Sequence, residues 1–371
     1  MRIALVEPYF SGSHKSWATE LQRHSSYSIE LFTLPGRNWK WRMHGAAISL
    51  AKKVNEIETA FDLIVVTDMM DLSVFKSLLS PVHNLTPIAL YFHENQLTYP
   101  WSNRDPDAKD EKAGHYQFIN YSSALVADRV YFNSAYHMNS FLDALKPFIS
   151  TFPDHKNMST IAQIEKKSSV LPIGIDLKKF DEFEAKEWEP NEVPIILWNH
   201  RWEYDKNPDD FFQCLFDIKE QGYSFQLVVL GAHFRTHPKI FTKAKEVLSN
   251  ELLHIGFCES FEEYARWLWK SDILPVTSIQ DFFGISIIEA IYCKCLPILP
   301  NRLAYPEHIT TKDLFYDSYS ELLSILKDKI ESNISSEKVD NRNAVLHYDW
   351  EVTIREYDQK WRELVEKHLK K

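Results

Sequence analysis

The chain has 371 residues, of which 44% are hydrophobic, and its formal net charge is −10 at pH 7. One hydrophobic core rarely supports a chain of this length, so two domains are expected. No apolar run approaches the roughly 20 residues that a membrane-spanning helix needs, and MRIALVEPYF lacks the length and cleavage pattern of a secretory signal. These features predict a cytoplasmic protein that has no stable membrane association.

The cysteine pattern argues against a disulfide framework. The close pair Cys293 and Cys295 has no second pair to complete a zinc site, and Cys214 and Cys258 stand apart. We therefore expect reduced, buried thiols.

Strand and helix signals alternate along the first half of the chain, as they do in proteins with a parallel sheet. The strand candidates are RIALVE, YSIELFTL, FDLIVVTD, PIALYFHE, DRVYFNS and SSVLPIGI. Helical stretches such as residues 16–24 and 46–60 lie between them. The pattern predicts a doubly wound domain over residues 1–180.

The second half repeats this alternation and predicts a second doubly wound domain over residues 190–345. Its strand candidates are PIILWNH, FQLVVLG, LLHIGF, DILPVTS and CLPILP. The polar stretch 181–192 is the candidate linker. Residues 346–371 are predicted to be helical, because apolar residues recur there at helical spacing, namely Ile354, Tyr357, Trp361, Leu364 and Val365.

The sequence DFFGISIIE, which ends at Glu289, places a glycine turn at the start of a short helix. The backbone amides of Phe283, Gly284 and Ile285 are expected to point out from that helix N-terminus, where anions are favoured. This predicts a phosphate-binding site. In the alternative interpretation, Ser286 and Glu289 form an S-x-x-E capping box that only stabilises the helix.

Arg201 and Lys206 lie upstream of this turn and flank a second predicted helix start. Asn207 suits the N-cap of that helix, and the proline after it suits the first helical position. The two basic residues are therefore candidates for binding a ligand. In the alternative, they lie on an ordinary solvated loop beside Glu203 and Asp205.

These two elements resemble the donor half of retaining glycosyltransferases with the GT-B architecture, a family that includes sucrose synthase and many mannosyltransferases. The shared pattern is R-x4-K followed by an acid, seven residues and a glutamate. The resemblance implies that Arg201 and Lys206 hold the diphosphate of a nucleotide-sugar and that Glu289 binds ribose hydroxyls. It also implies that Asp281 contacts the sugar, although the family usually has glutamate at this position.

Five of the nine glycines fall at the exits of predicted strands, where ligands bind in open α/β sheets. They are Gly12, Gly174, Gly231, Gly256 and Gly284. Ordinary turn chemistry explains any one of them. Five together favour a cleft that is lined from both domains.

Several strings of the first half narrow the family. They are FSGSHKSWATEL, TLPGRNWKWR, YFHENQLTYP, YFNSAYHMNSF and FPDHK. They closely resemble the tRNA-queuosine mannosyltransferases, which transfer mannose from GDP-mannose to the cyclopentenediol of queuosine in a tRNA anticodon. The resemblance covers nearly all of residues 1–176 and continues through the second half. It implies a GT-B fold, with two Rossmann-like domains, a cleft between them and a last helix that crosses back to the first domain.

The resemblance also assigns residues of the first domain. It places His93 close to the transferred sugar, while Glu94 and Asn95 are candidates for hydroxyl groups of the diol or the sugar. His14 and Lys15 are candidates for acceptor binding. Either histidine can instead be an ordinary structural residue. Residues 103–112 are expected to form a mobile surface loop over the acceptor.

A run of basic and aromatic residues is the candidate surface for tRNA, and it contains Arg37, Trp39, Lys40, Trp41, Arg42 and His44. The net negative charge is an objection, because recognition of nucleic acid favours a positive surface. In the alternative interpretation, both tryptophans pack in the core and the charges are ordinary surface. The family resemblance favours tRNA contacts by Arg37, Lys40 and Arg42.

Retaining transfer without an obvious carboxylate nucleophile favours attack on the front side of the sugar, with the leaving phosphate oxygen taking the proton of the acceptor. The protein would then act mainly by stabilising the diphosphate. Asp209 and Asp210 are adjacent in a helix start and do not form a D-x-D metal motif, so we expect no metal and no cofactor besides the donor.

The sequence therefore predicts a retaining glycosyltransferase that uses GDP-mannose and queuosine-containing tRNA. One alternative is an enzyme of the same mechanism with a small-molecule, lipid or glycan acceptor. Another is a non-catalytic relative that binds a nucleotide-sugar or tRNA. Asp281, and Lys294 where the family often has glycine, would be signs of such a relative.

Overall fold

The structure is a computed structural model. It describes residues 1–101, 113–185, 191–231, 238–332 and 341–370. The chain divides into two compact units. Unit 1 comprises Met1–Gly174 together with Trp350–Lys371, and unit 2 comprises Ile175–Asp349. The predicted loop 103–112 lies outside the described residues.

Unit 1 contains a parallel six-stranded sheet with flanking helices. Its strands are β1 (Arg2–Phe10), β2 (Ser28–Pro35), β3 (Leu63–Thr67), β4 (Ile88–Phe92), β5 (Arg129–Phe132) and β6 (Ser168–Val170). Its described helices include α1 (Gly12–His24), α2 (Trp39–Asn55), α3 (Leu72–Ser77), α4 (Ala113–Val126), α5 (Ala135–Ser150), α6 (Ser159–Lys167) and the C-terminal helix (Trp350–Leu369).

The strand order of this sheet is β2-β1-β3-β4-β5-β6. The two central strands β3 and β4 are buried along their whole length, as expected of parallel strands covered by helices on both faces. The order reverses between β1 and β3. Ligands of open α/β sheets bind beside the carboxyl ends of the strands at such a reversal, so the residues after β1 and β3 are the first place to look for a site.

Unit 2 has a second parallel six-stranded sheet. Its strands are β7 (Ile195–Trp198), β8 (Gln226–Leu230), β9 (Leu252–Gly256), β10 (Ile273–Pro275), β11 (Leu296–Pro300) and β12 (Phe315–Tyr316). Its described helices include α7 (Pro208–Glu220), α8 (Ile240–Val247), α9 (Phe261–Lys270), α10 (Ile285–Tyr292) and α11 (Tyr319–Glu331).

The strand order of unit 2 is β12-β11-β10-β7-β8-β9, which is the order of dinucleotide-binding Rossmann sheets. The reversal lies between β7 and β10. Arg201 and Lys206 follow β7, and the DFFG turn follows β10. The topology therefore brings the two predicted donor elements to the same edge of one sheet.

The predicted fold class is confirmed, and each of the eleven predicted strands is present. A twelfth strand, β12, was not predicted because it has only two residues. Helix α2 begins seven residues before the predicted stretch 46–60 and ends at Asn55. Its first turns carry the basic and aromatic run, which hides the helical spacing of apolar residues.

The C-terminal helix belongs to unit 1 and packs against α1. The ring of Trp350 lies so close to Gly174 that a Cβ atom at this glycine would approach it to 2.3 Å. The glycine therefore allows this tryptophan to pack. Among the described residues, no helix is both long and apolar enough to cross a membrane.

Candidate functional site

In unit 2, the ammonium group of Lys206 is surrounded by carboxylate and carbonyl oxygens. Its Nζ donates to the carbonyl oxygen of Gln280 at 2.9 Å and to Oδ2 of Asp281 at 3.1 Å. The nearest oxygen of Asp205 is 3.4 Å away. The residue is only 8% exposed, and a buried charge is stable only when it is paired. The predicted diphosphate-binding lysine and the predicted sugar-contacting acid are thus in direct contact.

Both partners of this pair are ionised. Burial alone would lower the pKa of Lys206, but the carboxylates of Asp281 and Asp205 outweigh it and raise the pKa above its ordinary value. Burial alone would raise the pKa of Asp281, and the nearby Lys206 lowers it instead. Tyr305 also donates to Asp281 Oδ2, at 3.3 Å. The Asp281 carboxylate is therefore held in one position.

Arg201 is more exposed than this pair, although its charge acts on Lys206 and opposes the rise of the lysine's pKa. Its side chain is 53% exposed, and its Nη1 is 2.9 Å from Oε2 of Glu203. An exposed ion pair of this kind contributes little to stability. The structure therefore gives the two predicted diphosphate-binding residues different environments, one buried and one exposed.

The glycine turn after β10 lies at the start of a helix, as predicted, and its cap is not the predicted S-x-x-E box. Gly284 is the N-cap of α10 and has φ of +92°, a conformation that glycine adopts without strain. The amide of Phe283 hydrogen bonds to Asp281, and the ring of Phe283 is buried against His308. Ile285 is the first residue of the helix. One of the three predicted phosphate-binding amides thus already has a partner within the protein.

The capping-box interpretation is wrong. Ser286 and Glu289 lie inside α10, after its N-cap Gly284. The Ser286 hydroxyl is 3.2 Å from Nδ1 of His200, and Oε2 of Glu289 accepts a hydrogen bond from the hydroxyl of Tyr264 at 2.7 Å. Burial raises the pKa of Glu289 to about 7, although this hydrogen bond opposes the rise. Both side chains therefore point to neighbouring elements and not to the helix amides.

The cap of α7 also differs from the prediction. Asn207 occupies the N-cap position, but its side chain donates to Asp210 at 2.6 Å and makes no hydrogen bond to a helix amide. Its φ of +50° lies in the left-handed region, which asparagine tolerates better than most residues. Asn207 therefore acts through its backbone conformation, which turns the chain sharply from Lys206 into the helix.

His200 is a site residue that the sequence analysis missed. It is 3% exposed, and its Nε2 has no hydrogen-bond partner among the described residues. Burial, and then the charge of Lys206, lower its pKa to about 3, so its imidazole is neutral. A Cβ atom at Gly231 would lie 2.1 Å from the carbonyl oxygen of His200. Glycine is therefore needed at position 231, because the two backbone segments approach each other closely. In the sequence, a single histidine after a strand has no feature that marks it as a site residue.

In unit 1, three side chains meet near the carboxyl ends of β1 and β4, one from within β1, one from the start of α1 and one directly after β4. Glu7 is fully buried, and its Oε2 is 3.2 Å from Nδ1 of His14 and 4.0 Å from Nε2 of His93. The two imidazole rings have centroids 4.2 Å apart. We call Glu7, His14 and His93 the Glu7 group. Its position beside the reversal of strand order is where the topology favours a ligand.

The backbone around His93 is fixed from both sides. Its amide donates to Oδ1 of Asp68 at 2.8 Å, and its carbonyl oxygen accepts from Nδ2 of Asn133 at 2.9 Å. The centroid of its ring lies 4.6 Å from the ring centroid of Trp17. The His93 Nε2 is buried and has no hydrogen-bond partner among the described residues. A buried polar atom without a partner is costly, and a ligand hydroxyl would supply the partner.

The charges of the Glu7 group are set by their surroundings. Burial alone would lower the pKa of His14, but the Glu7 carboxylate outweighs it and raises the pKa to about 9. Burial, and then the charge of His14, lower the pKa of His93 well below its ordinary value. Burial raises the pKa of Asp68 to about 8. At neutral pH the group therefore combines a charged His14 with a neutral His93.

The neighbouring predicted residues divide into two kinds. Oδ1 of the buried Asn95 accepts from the amides of Leu97 and Thr98, both at 3.0 Å. This side chain holds its own turn. Glu94 Oε1 accepts from Gln96 at 3.1 Å, and its carboxylate is one cause of the raised pKa of His14. Of the two residues, only Glu94 therefore acts on the Glu7 group.

The side chains of the predicted tRNA surface lie near the start of α2. Arg37 is exposed, Arg42 donates to the carbonyl oxygen of Pro35 at 3.2 Å, and Nζ of Lys40 lies 5.7 Å from the ring centroid of Trp39. Lys15 is exposed on α1. The interpretation that both tryptophans pack in the core is wrong for Trp41, which is 63% exposed.

A curated relative of this chain is the tRNA-queuosine alpha-mannosyltransferase of Drosophila melanogaster. The two proteins are 33% identical over 323 residues, which cover 85% of this chain and 84% of the relative.

The chain belongs to the tRNA-queuosine alpha-mannosyltransferase family.

The ranges of this tRNA-queuosine alpha-mannosyltransferase family member that match two family models correspond closely to its two units. Residues 2–175 match the model described as tRNA-queuosine alpha-mannosyltransferase N-terminal, and residues 179–344 match glycosyl transferases group 1. The chain is therefore a glycosyltransferase. Its four cysteines are buried and form no disulfide.

Solved structures show the same fold at low sequence identity. A sucrose-phosphate synthase from Thermosynechococcus elongatus has a TM-score of 0.72 and 15% identity, over 98% of this chain and 99% of that one. A structure described as trehalose-6-phosphate from E. coli bound with UDP-2-fluoro glucose has a TM-score of 0.68 and 12% identity, with the same coverage. The family member has the GT-B fold.

Two clusters of the described residues contain side chains of the kinds that bind metal ions. One is the Glu7 group, and the other is His254, Cys258 and Glu263. In the Glu7 group, a metal would have to displace the proton of His14, whose pKa is raised to about 9. The expectation that this family member needs no metal remains a prediction.

The Glu7–His14 pair makes the stability of this family member depend on pH. The pKa of His14 rises from 6.5 to about 9 on folding, so its contribution is complete below pH 6.5 and is lost as the pH rises through 9. We expect the free energy of unfolding to fall by up to about 3 kcal/mol across this window.

Urea unfolding at pH 6.5 and at pH 9 tests this expectation. Glu7→Gln removes the carboxylate that raises the pKa and should lose much less stability between the two pH values. Asp68 also titrates in this range and interacts with both His14 and Glu7, so the comparison is repeated with Asp68→Asn in both proteins to isolate the pair. An equal loss in both proteins would show that the pair has no such effect.

Proposed function

We propose that this protein transfers mannose from GDP-mannose to the cyclopentenediol of queuosine in tRNA, with retention of the anomeric configuration. The observation that carries the proposal is the Glu7 group, a buried polar cluster in the unit that matches the family's N-terminal model. The name of the Drosophila relative supplies the acceptor and the sugar. The guanine base comes from the resemblance of the sequence.

The donor half of the proposal rests on unit 2. Lys206 and Arg201 bind the diphosphate, and the start of α10 adds amide groups and the positive end of its dipole. Asp281 accepts a hydrogen bond from a hydroxyl of the mannose, and Glu289 accepts hydrogen bonds from the ribose hydroxyls. Lys206 is already charged and held by Asp281 and Gln280, so it needs little rearrangement when charge develops on the leaving group.

The acceptor half rests on unit 1. Vicinal hydroxyl groups offer both donors and acceptors, and the Glu7 group offers a carboxylate, a charged imidazole and the buried Nε2 of His93. These are matched hydrogen-bonding partners for a diol or for the hydroxyls of a sugar. The neutral state of His93 allows its ring to donate or accept without bringing a second positive charge beside His14.

The proposed reaction proceeds on one face of the sugar. The bond between the anomeric carbon and the diphosphate oxygen breaks, and the acceptor oxygen forms its bond on the same face. The proton of the acceptor hydroxyl passes to the departing phosphate oxygen, and GDP leaves. The protein then contributes mainly by stabilising the charge on that oxygen.

The deciding experiment incubates the protein with GDP-mannose and queuosine-containing tRNA, followed by digestion and mass analysis of the nucleosides. We expect queuosine to gain one hexosyl group. Matched reactions contain tRNA that lacks queuosine, UDP-glucose in place of GDP-mannose, or the Lys206→Ala variant. Equal products with tRNA that lacks queuosine would overturn the acceptor, and equal products with UDP-glucose would overturn the donor.

Glu289→Gln tests the ribose-binding role. Glutamine can still accept the hydrogen bond of Tyr264 through its carbonyl oxygen, but it loses the charged acceptor. We expect weaker GDP-mannose binding by calorimetry and an unchanged melting temperature. The pKa of Glu289 is about 7, so binding by the wild type should weaken as the pH falls through 7, while binding by the variant should not.

Tyr264→Phe is the control for this prediction, because it removes the hydrogen bond to Glu289 and keeps the carboxylate. It should change donor affinity much less than Glu289→Gln. If Glu289→Gln lowers the melting temperature and leaves donor affinity intact, Glu289 has only a structural role.

A further inference from the structure

The two tryptophans at the start of α2 have opposite environments. Successive helix residues are 100° apart, so residues two positions apart point to nearly opposite sides. Trp39 points inward, with its ring centroid 5.2 Å from that of Tyr116 and 6.0 Å from that of Trp101. Trp41 is 63% exposed. Trp39 therefore anchors the helix, and Trp41 presents a large aromatic surface to solvent.

The ring of Trp41 lies along its own helix, over Gly45. A Cβ atom at this glycine would come within 2.7 Å of the ring, too close for the ring to keep its place. Glycine inside a helix is destabilising by comparison with alanine. The glycine thus allows one face of the indole to rest on α2 while the other face stays open.

The surroundings of Trp41 are positively charged. Between residues 31 and 55 the sequence has five lysines and arginines and no acid, in a chain whose net charge is −10. The first turn of α2 contains no acid, although acids are favoured at helix starts and cations are not. Lys40 and Arg42 are the second and fourth residues of α2. The positive end of the helix and these side chains would together attract an anion.

Three local features thus oppose the stability of α2, namely an exposed tryptophan, an internal glycine and cations at the N-terminal end. Local choices that oppose the fold are expected at functional sites. An open aromatic face among cations is the chemistry that binds single-stranded nucleic acid, because bases stack on the ring and phosphates pair with the cations. A protein partner would not need the cations, and duplex RNA would not offer an open base.

The surface is connected to the Glu7 group within unit 1. Trp39 and Tyr9 both pack against the cluster of Met43, Met69, Tyr116 and Ile119. The ring of Tyr9 meets the ring of His14 edge-on, with centroids 5.8 Å apart. A continuous set of packed side chains therefore runs from the start of α2 to the Glu7 group.

We infer that Trp41 is a stacking platform for an unpaired base of the RNA acceptor, next to the base that is modified. The inference rests on the proposed function for the identity of the RNA. Unlike the proposed contacts of Arg37, Lys40 and Arg42 with phosphates, Trp41 would contact a base of the RNA. Gly45 is part of the same site because it holds the ring flat.

Fluorescence anisotropy of a labelled anticodon stem-loop RNA, measured with the full chain over a range of salt concentrations, tests this inference. Base stacking on an aromatic side chain changes affinity by roughly 5- to 100-fold. We expect a loss in this range for Trp41→Ala and Trp41→Leu, and a smaller one for Trp41→Phe, which keeps an aromatic face. The slope of affinity against salt should not change, because no phosphate contact is lost.

Ile48→Ala is the matched control. Ile48 is also 63% exposed and lies two turns further along α2 on the same face as Trp41, and its removal should not affect RNA binding. Gly45→Ala should keep or raise the melting temperature, because alanine favours the helix, and yet weaken RNA binding because the Cβ atom displaces the ring. A purely structural role for this region cannot produce that combination.

The outcome separates this inference from the proposed function. Normal product formation together with RNA affinity that is unchanged in Trp41→Ala would overturn the platform and leave the transferase intact. RNA binding that depends on Trp41 without any mannosylated product would support the platform and overturn the transferase. Equal losses in Trp41→Ala and Ile48→Ala would show a general apolar surface and would also overturn the platform.

Discussion

Lys206→Ala is expected to lower turnover by roughly 30- to 1000-fold, which corresponds to about 2–4 kcal/mol of lost transition-state stabilisation. Lys206 is the buried cation of the donor half, and in the proposed reaction its ammonium group faces the charge that develops on the diphosphate. Steady-state kinetics at subsaturating GDP-mannose measure this loss. Arg201→Ala should give a loss of the same order if both residues bind the diphosphate.

The two variants should differ in stability, because the two side chains differ in burial. Removing Lys206 leaves the carboxylates of Asp281 and Asp205 close together without their cation. Breaking a buried pair in this way costs about 3–5 kcal/mol. Arg201 is half exposed, and its ion pair with Glu203 lies at the surface, where such pairs contribute little to stability, so Arg201→Ala should unfold close to the temperature of the wild type.

A double variant separates catalysis from folding at this site. Lys206→Ala combined with Asp281→Asn removes both charges of the pair, and we expect it to recover much of the lost stability. It should not recover turnover, because the diphosphate still lacks its cation and the mannose has lost the carboxylate of Asp281. If turnover returns together with stability, Lys206 only supports the fold and the diphosphate assignment is wrong.

Neutralising Arg37, Lys40 and Arg42 is expected to weaken tRNA binding by roughly 100-fold or more at about 50 mM salt. Each phosphate contact contributes about 0.9 to the slope of log affinity against log salt, so the slope should become shallower by about 2–3. Glutamine is the suitable replacement, since its chain preserves part of the packing of Lys40 over the Trp39 ring. GDP-mannose affinity should stay unchanged.

The matched control removes the same number of positive charges elsewhere on unit 1. Lys146, Lys156 and Lys166 are exposed and lie outside α2, and replacing all three by glutamine changes the net charge equally. Binding of tRNA that falls equally in both triple variants would indicate a general effect of net charge. Wild-type protein without measurable tRNA affinity at low salt would contradict the tRNA acceptor itself.

The sequence predicted the framework well because strand signals are local. The central strands of both sheets are short apolar runs bounded by polar residues, and burial on both faces produces this pattern. The start of α2 was missed for a physical reason. Its first turns place charged and aromatic residues where a helix normally begins with a cap and acids, so the predicted helical stretch began only at residue 46.

The candidate site was predicted only in part, because spacing along the chain does not give the direction of a side chain. The contact of Lys206 with Asp281 joins residues 75 positions apart, and the family pattern anticipated both residues without their contact. Glu7 lies within an apolar strand and His200 follows another. Their burial, and not their sequence context, marks them as chemical groups. Asn95 shows the opposite case. Its polar side chain suggested a ligand contact, but its side-chain amide oxygen holds its own turn.

The order of the chain has a consequence for the way this protein is made. Unit 2 is inserted into unit 1, whose last segment is the C-terminal helix. In that helix, Tyr357 accepts a hydrogen bond from Trp17 at 3.0 Å and lies 3.1 Å from the hydroxyl of Tyr91, and both of these aromatic rings pack against His93. On the ribosome, the donor half is therefore fully synthesised before the acceptor half can close around its histidines. A nascent chain that stops before Trp350 would carry every proposed diphosphate-binding residue but would lack the aromatic support of the Glu7 group.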